Sequence, residues 1–246
     1  MPDPVRACSS ILIETDNISY LIDAGEGCAS SILRHKLDSD KIKQVFITHT
    51  HSDHSTGIFM LVQMMHLLRR RESLEIYLPE ESIFWFENIF DALYLFPDNL
   101  NFRFELKPIT QDFVFRDENL VLKPYPNQHL LSNKEFISEQ GLPNKMESYC
   151  FLIEINNNKI VYSGDIARLE DIEGLIEGVD YLLCESTHID LEELFALISA
   201  RKVRSTILTH IYEEVEKKKE FLLERAGKLV CRNLQFASDG LKVDIP

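Results

Sequence analysis

The segment Thr48-His49-Thr50-His51-Ser52-Asp53-His54 follows directly on the apolar run Val45-Phe46-Ile47 and precedes a long apolar helical pattern from about Ile58 to Arg70. No other stretch restricts the fold of this chain so strongly. Three imidazoles and one carboxylate fall within six residues, a density that a polar loop capping a helix through Ser52 or Asp53 does not account for. At an extended strand end His49 and His51 project to the same side, because side chains alternate with a period of two, so both rings can reach one cation. A turn then presents Asp53 and His54. One tetrahedral ion cannot take all four without strain, whereas two ions side by side can.

Periodicity predicts what surrounds this segment. Short strands at Ser10 to Glu14 and Ile18 to Ile22 flank a turn at Thr15-Asp16-Asn17, and a helix over Ala29 to Leu37 leads to a strand at Lys43 to Ile47. A strand at 75–78, a helix over Glu81 to Phe96, strands near 102–108 and 119–125, and a hairpin of 149–155 with 159–163 come next. The remainder alternates helix 168–177, strand 180–185, helix 190–201, strand 204–209, helix 212–226 and a final pair of strands. This order points to an α/β protein whose sheets are covered by helices on their outer faces, organised as a single domain over residues 1–246. The helix at 81–96 carries too many apolar side chains for one stripe, so burial on two sides is expected, or else a contact between two copies of the chain.

Charge narrows the function classes. With 26 Lys+Arg against 40 Asp+Glu the formal charge is −14, which disfavours binding of a long nucleic acid, since that affinity rests on cations neutralising phosphates. The clusters Arg69-Arg70-Arg71 and Lys217-Lys218-Lys219 sit in helical patterns and are expected on solvated faces. No run is long and apolar enough to span a bilayer, and MPDPVRACSS lacks the apolar core of a signal peptide, so a cytoplasmic location is expected. The five cysteines (Cys8, Cys28, Cys150, Cys184, Cys231) are scattered and contain no CxxC pair, which suggests neither a disulfide framework nor a thiolate zinc knuckle.

The His49–His54 segment resembles the HxHxDH signature of the metallo-β-lactamase-fold hydrolases. Further candidates follow in order: His129 after LVLKPYPNQ, Asp165 in Ser163-Gly164-Asp165, and His210 in Thr209-His210, each at the carboxyl end of an expected strand. The resemblance implies an αββα sandwich of two mixed sheets, with His49, His51 and His129 on one metal ion, Asp53, His54 and His210 on a second, and Asp165 bridging them. It further implies two divalent ions, zinc by the chemistry of neutral imidazoles, with manganese or iron as alternatives. A water shared by two such ions becomes a hydroxide nucleophile near neutral pH. Asp53 and His188 are the candidate catalytic residues, His188 as an acid for the leaving group or else a cap of the following helix. His66 is expected as a satisfied histidine of an apolar helix, and His35 at the surface.

Within that superfamily, Arg6-Ala7-Cys8-Ser9-Ser10, Leu21-Ile22-Asp23-Ala24-Gly25-Glu26, SGD at 163–165 and LTH at 208–210 look closest to the phosphodiesterase branch that includes ribonuclease Z. Three departures stand out. Cys184 occupies the position where that family's His-Glu-Ala-Thr motif has its histidine; only the 35 residues 130–164 lie between His129 and Asp165, with no basic arm; and the opening strand and Gly-rich turn of that family are absent before Arg6. The expectation is a dinuclear hydrolase of a phosphodiester or similar small anionic ester. Alternatives are carboxylic-ester, lactone or sulfate-ester hydrolysis, ribonuclease Z-like tRNA processing, or a binding protein presenting Phe84, Trp85 and Phe86 to a partner. Two divalent ions would make the site a local positive centre within an acidic body, suited to a small anion.

Overall fold

The computed structural model describes residues 6–228 and 233–246, and the chain divides into two compact units, residues 1–110 and 111–246. Cys231 and residues 1–5 lie outside the described residues. The first unit contains β1 (Ile11–Glu14), β2 (Ser19–Ile22), α1 (Cys28–Arg34), β3 (Ile42–Phe46), α2 (Ser52–Ser55), α3 (Gly57–Leu67), β4 (Leu74–Pro79), α4 (Ile83–Ala92) and β5 (Phe104–Ile109). The strands lie in that order in one mixed sheet. β1 and β2 form an antiparallel hairpin closed by Thr15, whose Oγ1 donates to the Ile18 carbonyl. β2 to β5 are parallel, and the helices between them serve as the crossovers that parallel pairing requires. Ile58, Leu61, Val62 and Met65 of α3 pack with Val45, Ile47, Ile76 and Leu78 in the unit's own core.

The second unit contains β6 (Phe115–Arg116), β7 (Leu120–Pro126), α5 (Lys134–Gln140), β8 (Tyr149–Ile155), β9 (Asn158–Tyr162), α6 (Glu170–Glu173), β10 (Tyr181–Glu185), α7 (Leu191–Ala200), β11 (Ser205–Thr209), α8 (Glu213–Lys217), α9 (Lys219–Lys228) and β12 (Leu234–Phe236). β6 to β9 form an antiparallel meander, and β9 to β12 continue the same sheet in parallel. The β8–β9 turn is Asn156-Asn157, both at positive φ (49° and 63°), the conformation a two-residue hairpin loop needs and Asn tolerates. Asp190 caps α7 by accepting from the Glu192 and Glu193 N–H groups. This unit has a separate core, built on Val161, Leu182, Leu194, Phe195 and Leu208.

Most elements lie where periodicity predicts them, and the differences have local causes. The helix expected at 168–177 is the four-residue α6, because 166–180 is spent on turns that bury Ile166, Ile172, Ile176 and Val179 separately. The helix expected at 212–226 breaks at Lys218 into α8 and α9. Of the expected final pair of strands, β12 alone is present among the described residues. α4 is not buried on two sides: Phe86 and Phe90 are buried, whereas Phe84 (61% exposed), Trp85 (54%) and Tyr94 (78%) are open. Cys8, Cys28, Cys150 and Cys184 are free, as expected, and burial pushes the Cys28 and Cys150 thiols up to about 12. Among the described residues no helix is long and apolar enough to cross a membrane.

Arg70 also departs from expectation. It is fully buried, and its guanidinium donates to the carbonyls of Ser39 (2.6 Å), Ile42 (2.6 Å), Glu72 (2.7 Å) and Ser73 (2.9 Å) beneath the Phe102 ring. A planar fork of five donors can serve four carbonyls at once, which lysine cannot. Arg70→Ala leaves those acceptors buried without their donor, so it is expected to destabilise the protein by about 3 kcal/mol or more, measured by chemical denaturation.

Candidate metal centre

In the first unit the His49–His54 segment is held by an acid at the end of β2. Asp23 is fully buried and sits at positive φ (55°), its N–H donating to the Phe46 carbonyl. Its Oδ1 accepts from the Thr48 N–H (2.8 Å) and the Thr48 hydroxyl (3.0 Å), and its Oδ2 lies 2.7 Å from His54 Nδ1. A carboxylate only accepts, so both the hydroxyl and Nδ1 donate to it. The Thr48 oxygen, 3.1 Å from His49 Nδ1, is then available to accept from that ring. Both imidazoles are thereby set in the tautomer that offers Nε2 to a metal, the usual second-shell arrangement of metal-binding histidine. The His49 ring centroid is 4.8 Å from His51 and 4.3 Å from His54.

Backbone packing fixes the same segment. Ala24 N–H donates to the His54 carbonyl (2.7 Å) and Ser9 N–H to the Asp53 carbonyl (3.1 Å). A Cβ on Gly25 would lie 2.0 Å from the Asp53 oxygen, and one on Gly57 2.0 Å from the Gly25 oxygen, so two chain segments cross here at a distance only glycine permits. β3 ends at Phe46, so His49 and His51 come together in the loop beyond the strand, not within it; His49 is buried and His51 exposed. Asp53 and His54 belong to α2, which lacks a side-chain cap.

In the second unit Asp165 is the centre of a ring of imidazoles. Its Oδ2 lies 3.7 Å from His129 Nε2, 3.9 Å from His210 Nε2 and 3.9 Å from His188 Nδ1. Ligand atoms around a tetrahedral ion at 2.0–2.2 Å stand roughly 3.4 Å apart, and those separations are close to this value and too long for hydrogen bonds. The donor set therefore fits a divalent cation; Asp165, His188 and His210 also present ligand atoms within 4.8 Å of one another.

The residues around them act as braces. Asn127 accepts from the His129 N–H (3.1 Å) and donates to the Asp165 carbonyl (3.0 Å), tying the loop after β7 to the loop after β9. Thr187 Oγ1 donates to the His210 carbonyl (2.7 Å) and lies 3.0 Å from its Nδ1, while Ser186 Oγ reaches the same carbonyl (3.2 Å). His210 sits at positive φ (52°), which these bonds hold. Cys184 is buried in the core, its thiol pushed well up by burial, so it does not stand in for the histidine of the related motif. His66 is satisfied as expected, Nδ1 accepting from the Asn101 N–H (3.1 Å), and His35 is half-buried instead of lying at the surface.

Asp23, Asn127, Glu185, Ser186 and Thr187 brace the site's histidines and Asp165, a role that motif reasoning did not assign them. A signal existed for the acids: Asp23 and Glu185 close apolar strands, where a carboxylate is costly to bury without donors. Asp23→Asn keeps the shape but replaces one accepting oxygen by an NH2 group, so the anchor of Thr48 or His54 fails. A 10–100-fold weaker metal affinity is expected, measured by competition with a chromophoric chelator.

Comparison with known proteins places this geometry. The family model of the Anti-Pycsar protein Apyc1 matches residues 6–232. The ribonuclease Z of Sulfurisphaera tokodaii is 26% identical over 222 residues, covering 77% of this chain and 73% of that protein. The metallo-β-lactamase-fold protein YhfI from Bacillus subtilis superposes with a TM-score of 0.75 at 17% identity, covering 98% of this chain and 92% of that one. A diphosphatase of the PhnP family gives 0.68 at 17% identity, covering 96% and 84%. The two mixed sheets with their helices are thus those of the metallo-β-lactamase fold, in its ribonuclease Z-like branch, and the chain belongs to the family of the Anti-Pycsar protein Apyc1.

Proposed function

We propose that the chain is a metal-dependent hydrolase of a small phosphodiester. The observation that carries the metal dependence is the pair of imidazole Nε2 atoms, of His129 and His210, 3.7 and 3.9 Å from the Asp165 carboxylate, supported by the locked rings of His49 and His54. In this reading His49, His51 and His129 would hold one divalent ion and Asp53, His54 and His210 a second, with Asp165 shared. Imidazole-rich sets favour zinc over magnesium or calcium. When bound, such ions supply an acidified water and positive charge for a phosphoryl oxygen. The protein's part is to hold the donors: Asp23 and Thr48 orient His54 and His49, Asn127 aligns His129 with Asp165, and Thr187 orients His210.

The names ribonuclease Z and diphosphatase both denote cleavage at phosphorus, which supports a phosphoester. A small substrate is favoured over tRNA by the charge of −14 and by the segment between His129 and Asp165, where the exposed α5 mixes Lys134 with Glu135 and Glu139 and offers no basic stripe. The four free thiols among the described residues suit a cytoplasmic location. The exposed Phe84 and Trp85 of α4, with Tyr94 just beyond it, support pairing of two copies through this face; sedimentation of the parent should show a dimer that Trp85→Glu dissociates.

Metal-loaded protein is expected to hydrolyse bis(p-nitrophenyl) phosphate, with kcat/KM falling more than about 100-fold in Asp53→Ala. Turnover of carboxylic esters or lactones alone would remove the phosphodiester assignment, and efficient cleavage of a tRNA 3′ extension would replace the small substrate by RNA.

A further inference from the structure

The segment that follows β11 brings a second ring to the site besides its histidine. His210 comes directly after β11, and Tyr212 occupies the N-cap of α8 with extended backbone (φ −84°, ψ 162°). N-caps favour Ser, Thr, Asp or Asn, whose short side chains accept from the first helical N–H groups, and Tyr212 makes no such bond. Helix formation therefore gives no reason for a tyrosine at this position, and departures from local rules concentrate at functional places. Ile211 packs against the core of the second unit. The half-buried Tyr212 ring lies against the His210 ring, centroids 5.5 Å apart and planes tilted by 53°, within the usual range of an aromatic pair. His210 in turn stacks on His188 (5.8 Å, 27°), and His188 meets His129 at 5.0 Å. Tyr212, His210, His188 and His129 thus form a row of rings along the loops after β7, β10 and β11.

We propose that Tyr212 is a specificity residue whose ring face receives a flat, uncharged organic group of the substrate while the phosphate lies beside Asp165. The inference deepens the phosphodiester reading above and rests on it for the place of the phosphate. His210 Nε2 stands 3.9 Å from Asp165 Oδ2, so a single imidazole separates the carboxylate from the Tyr212 ring. A ring one ester link away from phosphorus spans that interval. The imidazoles of His129 and His210 turn a nitrogen toward Asp165, whereas tyrosine offers a broad apolar face with little side-chain freedom to lose. The next two residues, Glu213 and Glu214, are exposed. Their carboxylates disfavour a second anionic group here and leave a neutral ring unopposed. Because the contact is with a π-face, it selects flat groups over saturated ones without reading their hydrogen-bonding edges.

The test uses the full metal-loaded chain and the variants Tyr212→Phe and Tyr212→Leu. Bound metal is measured first and is expected to match the parent in both. Binding of methyl, cyclohexyl and naphthyl phosphate is then followed by calorimetry, which needs no turnover. The parent is expected to bind naphthyl phosphate about 10-fold more tightly than cyclohexyl phosphate. Tyr212→Leu should lose about 10-fold in affinity for naphthyl phosphate and less than about 2-fold for methyl phosphate. Tyr212→Phe keeps the ring and should stay within about 2-fold of the parent on all three probes. A parent that binds the three alike, or binds none, overturns the proposal. So does an equal loss on methyl and naphthyl phosphate or a fall in bound metal in Tyr212→Leu, since either makes Tyr212 a support for His210. A loss in Tyr212→Phe as large as in Tyr212→Leu overturns it as well, by assigning the effect to the hydroxyl. Tyr212-dependent binding of naphthyl phosphate by a parent that hydrolyses no phosphodiester upholds the ring contact and overturns the hydrolytic reading alone.

Discussion

The first unit is organised around one buried carboxylate. Asp23 has no water to solvate it, so its burial is tolerable only because Thr48 and His54 supply donors to both oxygens. That requirement fixes the loop after β3 against the end of β2 and selects the tautomers of two imidazoles in the same step. The close crossing at Gly25 and Gly57 holds the same segment, with backbones nearer than any side chain would allow. A site built on such a network is rigid for the same reason that it is costly to disturb, because removing any member leaves a buried polar group without its partner.

The second unit solves a related problem with different parts. Its candidate ligands stand on three loops, after β7, after β9 and after β11, and the parallel register of β9, β10 and β11 brings the last two to the same sheet end. Short polar bridges then set the details: Asn127 between His129 and Asp165, and the Ser186-Thr187 pair against His210. The replacement of a histidine by Cys184 is accommodated here without opening a hole, since the thiol sits in the apolar core. Glu185 keeps a buried carboxylate beside it, and the imidazole it binds comes from a position three residues further along.

An acidic chain with imidazole-rich loops has a mixed electrostatic character. The charge of −14 repels a long polyanion over the surface, while cations bound at the loops would attract a single anionic group. Buried Arg70 shows that basic residues here also serve the fold, for its charge is spent on backbone carbonyls and contributes nothing to an anion-binding face.

The HxHxDH run, the order of His129, Asp165 and His210, and most strands were legible in the sequence because each depends on residues close together in the chain: ligand density over six positions, or apolar alternation over four to seven. The same local logic mistook α4 for a helix buried on both sides and Arg70 for a surface cation, since periodicity measures what a segment offers and not what packs against it. Asp23, Asn127 and Glu185 escaped it for a related reason. Their roles are defined by donors and acceptors such as Thr48, Asp165 and His188, which reach them only after the sheets have formed. The sequence by itself therefore determined which side chains could bind metal; the tertiary structure decided how each imidazole is turned, because hydrogen-bond partners remote along the chain choose its tautomer and direction.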